Sequence, residues 1–108
     1  MLFKTYHNEQ FCEYLFRPES LKTATISPAG IVECKDLNEV FELSNNGVPD
    51  RPDSLTDNPE VKEVLTQRPR SLSAGDLVED LDSGKVFVCA SCGWKELPRA
   101  EFDALNIT

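Results

Sequence analysis

Arg70-Ser71-Leu72-Ser73-Ala74-Gly75-Asp76-Leu77-Val78-Glu79-Asp80-Leu81-Asp82-Ser83-Gly84-Lys85-Val86-Phe87-Val88-Cys89-Ala90 is the stretch that decides the fold. A Gly-Asp turn opens it, and Leu77 to Leu81 reads as a short strand. Asp82 to Lys85 is a hairpin loop whose glycine can take positive φ. Val86 to Ala90 is the return strand and the most β-prone segment of the chain. Gly93-Trp94 interrupts the pattern, and Lys95-Glu96-Leu97 adds a last short strand. Pro98 suits the first position of a terminal helix reaching Leu105, with Phe102 and Leu105 as its buried pair.

Upstream of this stretch lies the clearest helix. Asp36 is a good N-cap, and Glu39 stands three residues on, as in a capping box. Leu37, Val40, Phe41 and Ser44 line one face, Leu43 widens it, and Glu39 and Glu42 face water. Asn45-Asn46-Gly47 is a natural stop. Leu2 to Tyr6 reads as a first strand, and Asn8 to Phe16 fits a helical face and a β run equally well. Arg17-Pro18 ends that segment. Lys22 to Ser27 reads as a strand closed by the Ser27-Pro28-Ala29-Gly30 turn, and Glu60 to Thr66 as a helical turn or two. Between them, 47–59 is a mobile Pro/Asp-rich loop.

These elements predict a single α+β domain over 1–108. It has a small antiparallel sheet with a carboxyl-terminal β-hairpin packed on one main helix (about 36–45) and one or two short helices. Its expected core is Leu37, Val40, Phe41, Leu72, Leu77, Val86, Val88 and Trp94. The Ser71 to Gly75 segment is expected to be an ordered turn in which serine hydroxyls satisfy local amides.

With 108 residues, 40% hydrophobic and 28% charged, the chain has the composition of a globular domain rather than a disordered one. Its net charge of -8 argues against a broad phosphate-binding surface, so no direct nucleic-acid contact is expected. The acidity is concentrated: 33–63 carries nine acids and three bases, whereas 1–32 is balanced. No apolar run approaches the ~20 residues of a membrane span, so no membrane partner is expected. The amino terminus lacks the apolar stretch of a signal peptide, and an authentic start on a cytoplasmic protein is the expectation.

Cys12, Cys34, Cys89 and Cys92 are then read as thiols rather than disulfides. Cys89-Ala90-Ser91-Cys92-Gly93 is a C-x-x-C followed by glycine, the form of a zinc knuckle. A complete site would need Cys12 or Cys34, or His7, at irregular spacing. A buried, apolar role for Cys89 is the competing reading. Arg68-Pro69-Arg70 is the only basic cluster, and Ser71, Ser73 and the Gly75 amide resemble an anion nest. Trp94 is either an interface anchor or an aromatic closing the hairpin end. No nucleotide-binding glycine motif and no convergent nucleophile and base are present, so neither a cofactor nor enzymatic activity is expected.

The order Asp36-Leu37-Asn38-Glu39-Val40-Phe41-Glu42-Leu43-Ser44-Asn45, Arg70 to Val78, then Val86-Phe87-Val88-Cys89-Ala90-Ser91 with Gly93-Trp94 and Leu97 resembles the small YodL-like proteins of phages, plasmids and other mobile elements. In those, an "L-x-x-V/A-F/Y-x-L-T/S-N" helix precedes an "R-S-x-S-x-G-D" turn and a hairpin ending near "C/V-A-x-x-G-W/F". The resemblance covers roughly 36–97 and implies no established activity. The family often has another residue at the place of Cys92, which counts against zinc.

The resulting expectation is a small acidic, non-enzymatic accessory protein of a phage or mobile element. It would bind and modulate a host protein, as a counter-defence inhibitor or a nucleic-acid mimic acting on a defence or nucleic-acid-handling enzyme. The alternative is a zinc-stabilised binding module using Cys89 and Cys92 with Cys12 or Cys34. Expected partner-binding residues are Glu39, Glu42, Asp50, Asp53, Asp57 and Trp94, with Glu39 and Glu42 on one side of a helix.

Overall fold

Alternation of apolar and polar residues in Leu2–Asn8, followed by the hairpin strands, builds a sheet with the first strand at its centre. The structure is a computed structural model and describes residues 1–14, 16–43, 61–66, 71–90 and 93–108. Its strands are β1 (Leu2–Asn8), β2 (Thr25–Glu33), β3 (Val61–Val64), β4 (Leu77–Asp80), β5 (Val86–Ala90), β6 (Gly93–Leu97) and β7 (Asn106–Ile107). They form one sheet of order β3-β2-β1-β4-β5-β6 with antiparallel neighbours, and β7 joins β2 in parallel. Three short helices, α1 (Phe11–Tyr14), α2 (Leu37–Leu43) and α3 (Arg99–Asp103), and a 3-10 helix (Pro18–Thr23) lie around it. The protein is an α+β domain dominated by its sheet, and among the described residues no one helix is the main one.

The hairpin of β4 and β5 and the first strand stand as read from the sequence. Other segments do not. Gly93-Trp94 opens β6 rather than interrupting the sheet pattern. Lys22 belongs to the 3-10 helix, and Ser27 to Gly30 is not a turn, because β2 runs through it. Tyr6 faces Pro28 and Thr5 faces Gly30, so Ala29 is the extra residue of a bulge, one of the few places where a strand interior accepts proline. Residues 61–64 extend along the edge of β2 as a strand rather than coiling, since Val61 and Val64 reach Val32 and Gly30 there. The open segment after Asn8 is one helical turn, α1, set off by Asn8 accepting the Gln10 N–H at 2.8 Å. Strand β7 had no counterpart in the sequence reading. The loop at 47–59 and Arg68-Pro69-Arg70 lie outside the described residues.

The expected single core is two. One face of the sheet buries Phe3, Val32, Cys34, Val40, Leu72 and Val78, with Leu37, Val61 and Trp94 packed against them. The other buries Tyr6, Leu21, Ala24, Ile26, Leu77, Val86, Val88 and Phe102. Successive strand residues point to opposite faces, so Leu77 and Val78 serve different cores. The hairpin residues Leu77, Val86 and Val88 therefore do not meet α2. They meet the 3-10 helix and α3. Phe41, expected in the core, is 39% exposed, because Val40 takes the inward position on the short helix. The cap is as read: Asp36 Oδ1 accepts the Glu39 N–H at 2.9 Å.

Between the two cores, the Ser73 to Asp76 turn is closed by Asp76. Its fully buried carboxylate accepts the Asn8 N–H at 2.8 Å and the Ser73 N–H at 2.7 Å. At Ser73 the carboxylate, rather than a serine hydroxyl, thus accepts from the turn amide. Gly75 sits at φ 97°, and its N–H donates to the Cys89 carbonyl at 2.8 Å. A Cβ at Gly75 would stand 2.8 Å from Tyr14 Cβ. At Gly84, φ 80°, a Cβ would meet nothing within 4 Å. Gly75→Ala therefore combines left-handed strain with a clash and is expected to cost about 3 kcal/mol or more. Gly84→Ala carries the strain alone, about 1 kcal/mol. Chemical denaturation of both variants checks this, and equal losses would contradict it.

Candidate functional site

Strands β5 and β6 pair from Ala90↔Gly93 through Cys89↔Trp94 to Val86↔Leu97, so the Cys89-x-x-Cys92 stretch is the end of a hairpin. Trp94 shares a face with its partner Cys89, and Glu96 with Phe87. On that face Phe87 and Trp94 line a cleft of about 390 Å³ together with Asp36, Leu37 and Asn38 at the start of α2. Met1, Phe3, Lys35 and Asp80 complete it. Trp94 is half-buried: one side packs against the core that holds Val40, and the rest lines the cleft. Of the two sequence readings of Trp94, the packing against the core is the one that its position shows.

Of the acidic residues expected to meet a partner, Glu39 is the one whose side chain is described. It is only 20% exposed and lies 3.9 Å from Lys35 Nζ, so it does not face open water as expected. The short helix turns it toward Lys35 and the Cys34 thiol. Asp36, at the cleft, is exposed. The side chain of Glu42 and all of Asp50, Asp53 and Asp57 lie outside the described residues.

Among the described residues the cysteines do not gather. Cys34 is buried on the α2 face, Cys12 is exposed on α1, whose Tyr14 packs against the other core, and Cys92 lies outside the described residues. Among the described residues no three His, Cys, Asp or Glu side chains stand where they could hold one metal ion. Burial, reinforced by Glu39, pushes the Cys34 thiol up to about 11, and burial with Asp76 does the same to Cys89. At neutral pH both are therefore protonated and poorly nucleophilic. The proposed anion nest is already filled. Asp76 occupies the Ser73 amide, and the Cys89 carbonyl occupies that of Gly75. His7 is a buried residue of β1, opposite Ser27.

A polar cluster that sequence reasoning missed lies on the opposite face. Tyr6 donates to Glu79 Oε1 at 2.9 Å, and Arg99 Nη1 meets Glu79 Oε2 at 2.6 Å. Arg99 also reaches Asp103 at 3.2 Å and lies over the Phe102 ring, which contacts Tyr6 edge-on. Burial and then the Glu79 carboxylate raise the Tyr6 hydroxyl well above its usual pKa. The group fastens α3 to the sheet. Its local signal was the i, i+4 spacing of Arg99 and Asp103. Beside it opens a second cleft of about 450 Å³, walled by the 3-10 helix, β6 and α3.

Comparisons with protein-family models, with curated proteins and with solved structures return no match. No helix among the described residues is long and apolar enough to cross a membrane.

The thiol environments make a direct prediction. In the folded protein at pH 8, Cys12 should be alkylated by iodoacetamide while Cys34 and Cys89 remain unmodified until denaturant is added. Mass spectrometry of the three peptides reads this out. Labelling of Cys34 or Cys89 at the rate of Cys12 would contradict their burial.

Proposed function

We propose that this chain is a small acidic accessory protein of a phage or mobile element that binds and modulates a host protein without enzymatic activity. The observation that carries the reading is the cleft where Trp94 and Phe87 meet Asp36 on a chain of net charge -8. An aromatic anchor in a recess beside acidic groups suits a basic surface of a protein partner, because the ring supplies contact area and the charges speed encounter. In this reading α2 (Leu37–Leu43), capped by Asp36, is the main helix, and the packing of its first turn beside the β5–β6 hairpin walls the cleft. Leu37, Val40 and Trp94 joining one cluster supports that. The resemblance of 36–97 to YodL-like proteins supplies the mobile-element setting, and a host defence or nucleic-acid-handling enzyme is the partner class that the acidity fits.

The test is capture from host lysate on the immobilised protein. One host protein should be retained at about one-to-one stoichiometry and released as salt screens the exposed charges. Trp94→Ala should lower retention at least about tenfold, in the manner of an interface anchor. Glu96→Lys, on the exposed sheet edge, should weaken it without disturbing the core. No stoichiometric partner, or retention of both variants at the wild-type level, would refute the proposal.

A further inference from the structure

We infer that β6 is a docking edge that takes an extended segment of a protein partner as an added antiparallel strand, with basic and apolar side chains in alternation. The inference rests on the partner-binding reading of the Trp94 cleft and adds its mode. Three observations converge on β6. First, β6 ends the sheet, and among the described residues no strand pairs with its outer side. Second, Cys89 directs its N–H to the Asp76 carbonyl at 2.9 Å and its carbonyl to the Gly75 N–H at 2.8 Å, both toward β4. Its β6 partner Trp94 is therefore in a pair without mutual hydrogen bonds, and Trp94 points its own N–H and C=O to the open edge. Glu96, two residues on, does the same. Third, a cleft adjoins β6 on each face of the sheet. The Phe87–Trp94 cleft lies on one face. The larger cleft, lined by Val88, Leu97 and Pro98 with Leu21 and Leu105, lies on the other.

An added strand sends successive side chains to opposite faces, so its alternate residues would enter the two clefts in turn. The chemistry of the clefts sets what those residues are. The rings of Phe87 and Trp94 beside Asp36, with Lys35 already paired to Glu39 and the chain at net charge -8, favour an arginine or lysine, through cation–π contact and charge. The opposite cleft has Leu21, Val88, Leu97, Pro98 and Leu105 in its wall, with charged residues of both signs such as Lys95 and Glu101 beside them, and the apolar part favours leucine, isoleucine or valine. A second copy of this chain is disfavoured as occupant. Antiparallel pairing of two β6 strands about a two-fold axis places Lys95 against Lys95 or Glu96 against Glu96 in its central registers, and like charges directly opposite repel.

The probe is a synthetic peptide, acetyl-Arg-Val-Arg-Leu-Arg-Val-amide, titrated into the isotope-labelled protein at physiological ionic strength. Amide shifts should concentrate at Gly93 to Leu97, and exchange of the Trp94 and Glu96 amides should slow on binding. N-methylating alternate peptide bonds, which leaves the charge unchanged, should weaken binding at least about tenfold in the register that faces β6. Glu96→Pro removes an outward donor without breaking the β5 ladder and should weaken binding similarly, with a thermal melt confirming the fold. Binding of the methylated peptide, or of a peptide with the same residues in scrambled order, as tight as that of the parent would show a non-specific charge effect and overturn the inference. Concentration-dependent dimerisation that protects the β6 amides would overturn it in favour of a second copy. If the host protein is captured through Trp94 while β6 amides stay unmoved by the peptide, partner binding stands and strand addition falls.

Discussion

Buried Asp76 ties together the end of β1, its own turn and β5, the first two through its carboxylate. It holds the end of β1 through Asn8 and the entry turn of β4 through Ser73, and its own backbone carbonyl accepts from Cys89 of β5. Taking a carboxylate out of water is costly unless its oxygens are well supplied with donors, and two backbone amides at short distance supply them. Left without that acceptor, those amides would each cost about 1–3 kcal/mol at a site closed to water. Gly75 completes the arrangement, since only a residue without Cβ fits between the turn and Tyr14.

From this junction the rest of the architecture follows. Fixing Asn8 fixes where β1 ends and α1 begins, and so places Tyr14 and the 3-10 helix over one face of the sheet. Fixing Leu77 and Val78 just beyond Asp76 decides which strand residues face which core. Both faces of the central strands are then covered, and the recesses that remain lie outward, beside the hairpin of β5 and β6. The two clefts flank that hairpin because α2 covers only part of one face and α3 only part of the other. The site is thus a consequence of small helices on a wide sheet.

The strong local signals in the sequence were reliable where local chemistry decides the outcome. The Asp36 cap, the hairpin from Leu77 to Ala90, and the separation of Phe102 into a terminal helix are all short-range matters of capping, turns and alternation. What was not legible was long-range. Residues 61–64 have no intrinsic reason to be a strand until β2 offers its edge, and Pro28 reads as a turn until β1 opposes it with a bulge. The two-sided core was hidden because Leu77-Val78-Glu79-Asp80 looks half polar, yet all four residues are buried, Glu79 against Tyr6 and Arg99, Asp80 with the Asp82 and Ser83 amides. That Trp94 closes the hairpin end against the core was legible from its type and position. Phe87, its neighbour in the cleft, became visible only once the strand register was known. Glu39 was misplaced because a helical wheel does not show that Lys35 and Cys34 stand beside it.

Native-state hydrogen exchange on the wild-type protein and Asp76→Ala tests the role of this junction most directly. If Asp76 organises the sheet, the Asn8, Ser73 and Cys89 amides are among the slowest to exchange in the wild type. In Asp76→Ala the Asn8 and Ser73 amides become fast, and the loss of protection spreads along β1, β4 and β5 together. Retention of wild-type protection in β1 and β5, with only the Ser73 turn affected, would contradict the account and reduce Asp76 to a local turn residue.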